Sequence, residues 1–364
     1  MVTAQDILTT EVIKRDANDI FSQVINLFND TDAIVITDHE KYQGMLLKRT
    51  LLESTITLQT KLHTLLSHTP KLSPDTPAEE IARTMVENHV YTLPVLKNDA
   101  VIGVVTADDT VKILTEQNLG SQPIKTIMCT QPLSISPEET IGKVLHLFQH
   151  ENVSYLAVVD HNTVVGAITI NTIINKVLHA HGNVEGRTDV ESERRQKLNL
   201  PAKTIMQEQP MLVSPETTIK DVHSKMHKFE QPGILIGKEN HLLGIVTHKE
   251  LLAPFGGFNK EETIELQFHH NNDKVEGYDK QQAADVLRAE FLKNYEKYVG
   301  VGYLHVSLEQ HKETAQGLHR VVCKMKLSGK PGIFYTTSEG YGPMQAIRNA
   351  YHAIEHQINK AKNT

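Results

Sequence analysis

The feature that most constrains this chain is an internal repeat. Residues 123–128 (PIKTIM) return 78 positions later as residues 201–206 (PAKTIM). The glycines Gly103, Gly166 and Gly244 follow the same periodicity, with offsets of 63 and 78 residues. Because repeated units bury their apolar faces against one another, this region should fold as an array of similar domains rather than as one large core.

A fourth, weaker copy precedes these three, because Gly44 lies 59 residues before Gly103 and follows the apolar run 33–36. Counted along the chain, the last two copies, which contain Gly166 and Gly244, are separated by 15 additional residues, and the charged stretch 187–197 explains this extra length. The predicted organisation is repeat 1 (1–56, degenerate), repeat 2 (57–118), repeat 3 (119–182), a charged insertion (183–200), repeat 4 (201–254), a linker (255–262) and a C-terminal domain (263–364).

Each repeat has the same predicted anatomy. A Ser-Pro pair, such as Ser136-Pro137, is interpreted as the start of a helix, because proline suits the first helical position. An amphipathic helix follows, then two short strands joined by a tight turn, and then a closing helix.

These repeats resemble cystathionine-β-synthase (CBS) domains. The resemblance is carried by the Ser-Pro pairs, by residues 91–96 (YTLPVL) and by residues 103–109 (GVVTADD). It implies that the four repeats form two tandem modules of paired domains, and that the protein forms homodimers through these modules. It also implies an adenine nucleotide (AMP, ADP or ATP) in the cleft of a module, as a regulatory ligand rather than as a required cofactor.

The predicted nucleotide-binding residues follow the family's pattern of Thr or Ser with an acid three residues later. Repeat 2 has Thr106 and Asp109, with Tyr91 upstream, and repeat 4 has Thr247 and Glu250. A carboxylate can accept hydrogen bonds from both ribose hydroxyls. Repeats 1 and 3 have no acid at this position. The alternative is that both acids only stabilise the first turn of a helix through its dipole.

The C-terminal domain has a different pattern. Strands are predicted where apolar and polar residues alternate, and helices where apolar residues recur every three or four positions. The predicted order is strand 263–269, helix 279–298, strands 303–308, 318–327 and 332–337, and helix 343–362. Asp279 is the predicted N-cap of the first helix. This β-α-β-β-β-α order indicates an α+β fold in which one sheet carries both helices on one face.

The last helix carries a second resemblance. Residues 339–350 (EGYGPMQAIRNA) and 354–358 (IEHQI) are similar to the closing segment of the ribosome hibernation-promoting factors, which include the ribosome-associated inhibitor proteins. The sequence departs from that family at Gly342 and Arg348, where acids are usual, and at His356, where arginine is usual. The resemblance implies binding to small-subunit ribosomal RNA and a block of translation. The fusion to CBS domains resembles archaeal ribosome-dimerisation factors.

Basic residues of this domain form the predicted RNA-binding set. Arg320, Lys324 and Lys326 share one face of a strand, because their numbers are all even. The other members lie along the last helix at intervals of four or extend these rows: Arg348, His352, His356, Lys360, Lys312, Lys330 and Lys362. Basic side chains release counterions when they meet phosphates. The alternative is an ordinary solvated face.

The charge distribution agrees with an anionic partner for this domain. Residues 1–256 hold 23 basic and 31 acidic side chains, a net charge of −8, whereas residues 300–364 hold 8 and 4, a net charge of +4. The sequence shows no secretory leader and no apolar run of about 20 residues that would span a bilayer. The two cysteines, Cys129 and Cys323, are typical of a reducing compartment. These features predict a cytoplasmic protein whose partners are neither membranes nor DNA.

The sequence does not predict an enzyme. Residues 352–356 (HAIEH) match the inverted zinc-protease motif, with His352 and His356 as candidate ligands. In those enzymes the third ligand comes from much further downstream, and only eight residues follow here. No catalytic residues and no metal ligands are therefore predicted.

The resulting hypothesis is a hibernation or dimerisation factor that docks on small-subunit RNA through its C-terminal domain. Its CBS modules would dimerise it and sense adenine nucleotides. The alternative is a nucleotide-sensing regulator whose C-terminal domain binds a protein or a non-ribosomal RNA.

Overall fold

The computed structural model describes residues 2–52, 56–117, 119–130, 132–151, 153–178, 196–257, 264–268, 272, 275–299, 302–315, 318–329 and 331–362. The side chains at positions 117, 150, 265, 297 and 312–315 lie outside this description. The chain divides into two compact units, residues 1–259 and 260–364. The first unit holds the repeats and the second is the C-terminal domain.

The elements of the first unit follow the repeats. Repeat 1 contains α1 (Ala4–Ile7), β1 (Lys14–Asp16), β2 (Ala33–Asp38) and β3 (Lys41–Leu47), with 3-10 helices Phe21–Gln23, Ile25–Asn29 and Lys48–Leu52. Repeat 2 contains the 3-10 helix Leu62–Thr64, α2 (Ala78–Asn88), β4 (Thr92–Lys97), β5 (Ala100–Thr106) and α3 (Ala107–Gln117).

Repeat 3 contains the 3-10 helix Ile124–Thr126, β6 (Ser134–Ile135), α4 (Ile141–His150), β7 (Tyr155–Asp160), β8 (Thr163–Thr169) and α5 (Ile170–Ile173), which continues as the π-helix Ile174–Leu178. Repeat 4 contains the 3-10 helix Ala202–Thr204, β9 (Gln207–Glu208), β10 (Leu212–Val213), α6 (Ile219–Lys228), β11 (Gly233–Lys238), β12 (His241–Thr247) and α7 (His248–Leu252).

A tight antiparallel hairpin is common to all four repeats. It is formed by β2 and β3, β4 and β5, β7 and β8, or β11 and β12. In repeat 2 the two connecting residues, Asn98 and Asp99, have φ values of 51° and 62°. The other three hairpins also turn through two residues with positive φ. This is the pattern of a type I′ turn, whose twist matches that of the strands.

The Ser-Pro pairs do not start the helices, so this prediction was wrong. Helix α4 begins at Ile141, four residues after Pro137, and Thr140 is its N-cap. The pair instead opens a turn, in which the Glu139 N–H donates to the Ser136 carbonyl at 3.1 Å. Equivalent turns precede α2 and α6.

The proline carbonyl of each turn accepts a hydrogen bond from the leading segment of another repeat. The donors are the backbone N–H groups of Gln5 to Pro74 (2.9 Å), Lys125 to Pro215 (3.1 Å) and Lys203 to Pro137 (3.0 Å). Repeat 1 has no Ser-Pro pair, but it accepts an equivalent bond from the segment that leads into repeat 2, because the Leu62 N–H donates to the Asp19 carbonyl at 3.0 Å. Repeats 1 and 2 therefore form one module, and repeats 3 and 4 form a second.

The periodic glycines mark the places where the exchanged segments cross the hairpins. A Cβ atom at Gly103 would lie 2.7 Å from the Thr9 carbonyl oxygen. A Cβ atom at Gly244 would lie 2.5 Å from the Cys129 carbonyl oxygen. Because any larger residue would collide with backbone, the close approach explains why glycine recurs here.

The two modules pack against each other through their helices. One apolar core joins repeats 2 and 4 and includes Met85, Val111 and Val222. A second core joins repeats 1 and 3 and includes Leu52 and Phe148. Smaller cores lie between the sheets within each module. The four repeats therefore form a closed ring in the order 1-2-4-3, in which each repeat contacts the next and repeat 3 contacts repeat 1.

The C-terminal domain has one four-stranded sheet in the order β13-β14-β15-β16. Its elements are β13 (Ile264–Phe268), α8 (Lys280–Val286), the π-helix Leu287–Leu292, α9 (Lys293–Val299), β14 (Gly302–Ala315), β15 (Leu318–Gly329), β16 (Gly332–Tyr341) and α10 (Pro343–Lys362). Strands β13 and β14 are parallel, and the other pairs are antiparallel.

The predicted α+β class is confirmed, and both helical segments of this domain lie on one face of the sheet. Phe291 from the first segment and Ile354 from α10 share a core with Val306 and Cys323 of the sheet. Asp279 is the N-cap of α8, and its carboxylate accepts a hydrogen bond from the Gln282 N–H at 2.8 Å, as predicted.

Helix α10 also covers the outer edge of β16. Three of its amide side chains bond backbone groups of the strand: Gln357 Nε2 donates to the Tyr335 carbonyl (2.9 Å), Asn349 Nδ2 donates to the Glu339 carbonyl (2.7 Å), and Gln345 Oε1 accepts from the Tyr341 N–H (2.7 Å). An edge strand satisfied in this way is a poor template for another strand.

The exchange within a module can be tested with Gly103→Ala. The new Cβ would meet the Thr9 carbonyl oxygen at 2.7 Å, so the free energy of unfolding should fall by about 1–3 kcal/mol in urea titrations of the full chain. Gly142→Ala in α4 is the control, because its nearest atom, the Leu198 carbonyl oxygen, would lie at 3.3 Å. Equal losses in the two variants would contradict the role given to the crossing segment.

Candidate functional sites

The acid pattern of repeat 2 lies where β5 meets α3. The Thr106 Oγ1 hydroxyl donates to Asp109 Oδ2 at 2.6 Å, and the Asp109 N–H donates back to Thr106 Oγ1 at 3.2 Å. The Ala107 N–H donates to the Tyr91 carbonyl at 2.8 Å, so all three predicted residues adjoin. Both side chains of the pair are half-buried, and no described residue bonds Asp109 Oδ1, so this oxygen can accept from a further donor.

The acid pattern of repeat 4 is a complete capping box. Glu250 Oε2 accepts from the Thr247 N–H at 2.8 Å and from the Thr247 hydroxyl at 2.6 Å. Thr247 Oγ1 in turn accepts from the Lys249 N–H at 3.3 Å. This geometry gives Glu250 a local structural role, which is the alternative that the sequence left open.

The residue directly before the acid position of the pattern contacts the opposite module in repeats 1 and 2. The sequence analysis did not identify this residue. In repeat 1 it is Arg49, whose Nη1 donates to the Phe148 carbonyl at 2.7 Å and whose Nη2 donates to the Val153 carbonyl at 2.9 Å. Burial lowers the pKa of the Arg49 guanidinium. The side chain therefore ties repeat 1 to repeat 3 through hydrogen bonds to backbone.

In repeat 2 the equivalent residue is Asp108, and three histidines of repeat 4 surround it. His223 Nε2 lies 2.9 Å from Asp108 Oδ1, and His227 Nδ1 lies 2.6 Å from Oδ2. His248 Nε2 is buried, lies 3.8 Å from Oδ1 and has no hydrogen-bond partner among the described residues. Because an ionised carboxylate only accepts, the two close ring nitrogens must carry hydrogens.

The electrostatics of this cluster favour an ionised Asp108. Burial works to raise the pKa of the Asp108 carboxyl, but the imidazoles of His223, His248 and His227 outweigh it and hold the pKa below its usual range. His223 and His227 are separated by one helical turn in α6, which was the available sequence signal. Their partner Asp108 lies 115 and 119 residues before them in the chain, so periodicity could not find it.

On the C-terminal sheet, Arg320, Lys324 and Lys326 share the face that points away from the helices. Val321, Cys323 and Met325, which alternate with them on β15, are buried beneath the helices. Burial raises the pKa of the Cys323 thiol to about 12.

Arg320 and Lys324 have acidic neighbours. Arg320 Nη2 lies 2.6 Å from Glu339 Oε2, and Lys324 Nζ lies 3.3 Å from Glu309 Oε2. The hydrogen bond from Arg320 and its charge lower the pKa of the Glu339 carboxyl.

The basic row on α10 lies on the other side of the domain, because the apolar side of this helix covers the sheet. Arg348 Nη2 lies 3.2 Å from Glu290 Oε1, and His352 Nδ1 lies 2.8 Å from Glu355 Oε2. Lys362 Nζ sits 4.7 Å from the ring centre of Tyr295. The row continues through His356 and Lys360, which are exposed. The predicted RNA-binding residues thus form two surfaces and not one.

Several predicted features lie outside the described residues. They are Lys330, the side chain of Lys312, most of the charged insertion 183–200 and most of the linker 255–262. Within the described part of the chain, no three His, Cys, Asp or Glu side chains are arranged to hold a metal ion. No described helix is long and apolar enough to cross a bilayer.

Comparison with known families agrees with the two-part organisation. The family described as CBS domain matches residues 65–116, 124–179 and 202–255. The family described as hibernation factor Hib, C-terminal domain, matches residues 265–364. The chain therefore contains CBS domains followed by a C-terminal domain of the Hib domain family. CBS and hibernation domains are typically regulatory and non-catalytic.

Individual relatives are more distant. The uncharacterized protein MJ1404 of Methanocaldococcus jannaschii is 23% identical over 54% of this chain and 47% of its own length. The chain spans about half the length of this relative. Protein MJ1225 of the same organism has a crystal structure that covers 70% of this chain and 100% of its own, with 15% identity and a TM-score of 0.62. A conserved protein of Pyrococcus horikoshii covers the same shares with 14% identity and a TM-score of 0.51. These structures show the fold of the repeat unit.

The Asp108 cluster predicts a pH-dependent contribution to stability. Asp108→Asn should lower the free energy of unfolding by about 1–3 kcal/mol near pH 7, because the histidines lose their charged partner. The folded-state pKa of Asp108 lies below its ordinary value of about 4, so its contribution is present above pH 4 and is lost as the pH falls further.

Urea titrations of the full chain at several pH values between 3 and 7 measure this difference. The gap between the wild type and the variant should be constant above about pH 5 and should begin to shrink below about pH 4. Asp99→Asn, in an exposed hairpin turn, is the matched control. A gap that stays constant with pH, or one that Asp99→Asn reproduces, would refute the assignment.

Proposed function

We propose that this protein is a ribosome hibernation factor that binds small-subunit RNA through its C-terminal domain and thereby blocks translation. The observation that carries the proposal is the match of residues 265–364 to the Hib C-terminal domain, on a sheet whose open face presents Arg320, Lys324 and Lys326. Basic side chains in a row fit a phosphate backbone. A ribosome-bound role would place the protein in the cytoplasm.

The repeat unit would supply regulation by an adenine nucleotide. Other proteins with CBS domains bind AMP, ATP or S-adenosyl-L-methionine, as their complexes show. In this chain the supporting observation is the Thr106–Asp109 pair, which is already formed and leaves one carboxylate oxygen for a ribose hydroxyl. Repeat 4 is the weaker candidate, because Glu250 is bound by both donors of its own helix cap.

Dimerisation through the repeats would require a surface other than the helical one. The helices of the two modules already bury each other within one chain, in the cores shared by repeats 2 and 4 and by repeats 1 and 3. A dimer would therefore form through the outer surface of the repeat unit.

Sucrose-gradient sedimentation of purified small subunits with the full chain tests the proposal directly. Co-migration with the small-subunit peak is expected, and a heavier peak would indicate that two subunits are joined. A change on addition of AMP or ATP would support the regulatory role. Absence from the subunit peak under all conditions would refute the ribosomal role and favour a regulator that binds a protein or another RNA.

The two basic surfaces can be separated by charge removal. Lys324→Gln with Lys326→Gln should weaken subunit binding and reduce the slope of log K against log salt by about 1 for each lysine. Arg348→Gln with Lys360→Gln on α10 is the matched pair, because it removes the same charge from the opposite side. Cosedimentation at 50–200 mM salt measures both. A loss confined to the α10 variant would show that the helical surface docks instead.

The nucleotide site can be tested with Asp109→Ala. The variant should lose about 10- to 100-fold in affinity for the nucleotide, since a carboxylate hydrogen bond is worth about 1.5–3 kcal/mol. Isothermal titration calorimetry of the full chain with AMP, ADP and ATP measures this loss. Thr172→Ala at the equivalent position of repeat 3 is the control, because that residue is no acid. No heat with any nucleotide in the wild type would refute the site.

A further inference from the structure

The open face of the C-terminal sheet carries exposed aromatic and aliphatic side chains that the RNA-binding set did not include. Tyr335 is 55% exposed, Tyr341 44% and Ile333 67%, and all three lie on β16 on the side away from the helices. Their odd numbering alternates with the buried Phe334, Thr336 and Gly340. Tyrosine rings that are exposed at an open sheet face combine an apolar body with a polar tip, and such side chains are enriched at interfaces.

Each tyrosine lies directly opposite a basic residue of β15. Tyr335 is the cross-strand partner of Lys326, and Tyr341 is the partner of Arg320. Directly opposite residues have Cβ atoms about 5 Å apart. A ring and a cation can therefore act on neighbouring parts of one ligand, the ring on a base and the cation on its phosphate.

We infer that this face binds unpaired RNA, with bases stacked on Tyr335 and Tyr341. The inference rests on the proposed ribosomal role only for the source of the RNA. Unpaired bases expose π-faces that aromatic side chains can stack on, whereas a duplex presents mainly its backbone. The two tyrosines are six residues apart on one strand, or about 20 Å. That distance suits the short runs of about 4–16 nucleotides that single-strand binding folds cover.

The surroundings of the two rings favour RNA over a second protein strand. The edge of β16 is closed to strand addition, because amide side chains of α10 already bond the backbone at Tyr335, Glu339 and Tyr341. The Thr337 hydroxyl donates to Tyr335 Oη at 3.1 Å and tethers that ring at the face. Lys324 lies between the two tyrosine–cation pairs. Lys324 and Arg320 have the carboxylates of Glu309 and Glu339 as neighbours, and an RNA phosphate would replace these carboxylates as the anionic partner.

The test compares the full chain with a Tyr335→Leu, Tyr341→Leu double variant. The probes are fluorescein-labelled 12-nucleotide U and A oligomers and a 12-base-pair RNA duplex, measured by fluorescence anisotropy at 50–200 mM salt. The leucine variant should bind the single strands about 10-fold or more weakly, because each lost stacking contact is a large part of the affinity. Its salt slope should not change, since no phosphate contact is removed.

Two further variants keep the result interpretable. Tyr335→Phe with Tyr341→Phe retains the rings and should bind within about twofold of the wild type. Phe229→Leu removes an exposed aromatic ring from the repeat unit and should have no effect. Unchanged single-strand binding in the leucine variant, or equal losses for duplex and single strand, would overturn the inference.

Sedimentation with small subunits distinguishes failure of the stacking inference from failure of the proposed ribosomal role. If the leucine variant cosediments as well as the wild type and binds oligomers equally, the stacking inference fails while the ribosomal role stands. If tyrosine-dependent oligomer binding appears without any subunit binding, the stacking inference stands and the ribosomal role fails.

Discussion

The repeat unit depends on backbone hydrogen bonds that each repeat makes to the leading segment of its partner. The proline carbonyl of each Ser-Pro turn accepts a hydrogen bond from a backbone N–H group in the leading segment of the other repeat in the module. Neither member of a module is complete alone, since part of each hairpin face is covered only by the exchanged segment. The recurring glycines follow from this constraint, because a side chain at Gly103 or Gly244 would occupy the path of that segment. The packing of the exchanged segments thus requires the repeats to fold in pairs, whether or not a ligand binds.

The same fold places chemically different groups at equivalent positions of the two module interfaces. Arg49 ties repeat 1 to repeat 3 by bonds to carbonyl groups, and an arginine keeps its charge at any physiological pH. Asp108 ties repeat 2 to repeat 4 through its carboxylate, which lies 2.9 Å from His223 Nε2 and 2.6 Å from His227 Nδ1. Asp108 is the direct neighbour of Asp109 in the candidate nucleotide site. A ligand that moved the start of α3 would therefore also act on the contacts between Asp108 and repeat 4.

The sequence predicted most of the fold, because helices, strands and repeats leave local periodic signals. The order of the C-terminal elements, the Asp279 cap and the span of α10 all followed from such signals. The Ser-Pro interpretation was wrong because proline is equally suited to the first position of a helix and to a turn. The Asp108 cluster could not be predicted, since it joins residues more than 100 positions apart. The predicted nucleotide-binding and RNA-binding roles remain predictions.

Separating the two basic rows of the C-terminal domain has a physical consequence. The sheet row consists of lysine and arginine, and the planar Arg320 guanidinium can form paired hydrogen bonds with a phosphate. The row on α10 contains two histidines, His352 and His356, besides Arg348 and Lys360. Arg348 in that row also pairs with Glu290, whose pKa the hydrogen bonds from Tyr351 and Arg348 lower. That network joins α10 to the first helical segment of the domain, which gives Arg348 a structural task. Of the two surfaces, the sheet is therefore the one that combines lysine and arginine with exposed tyrosine rings, which suits the RNA-binding role proposed for it.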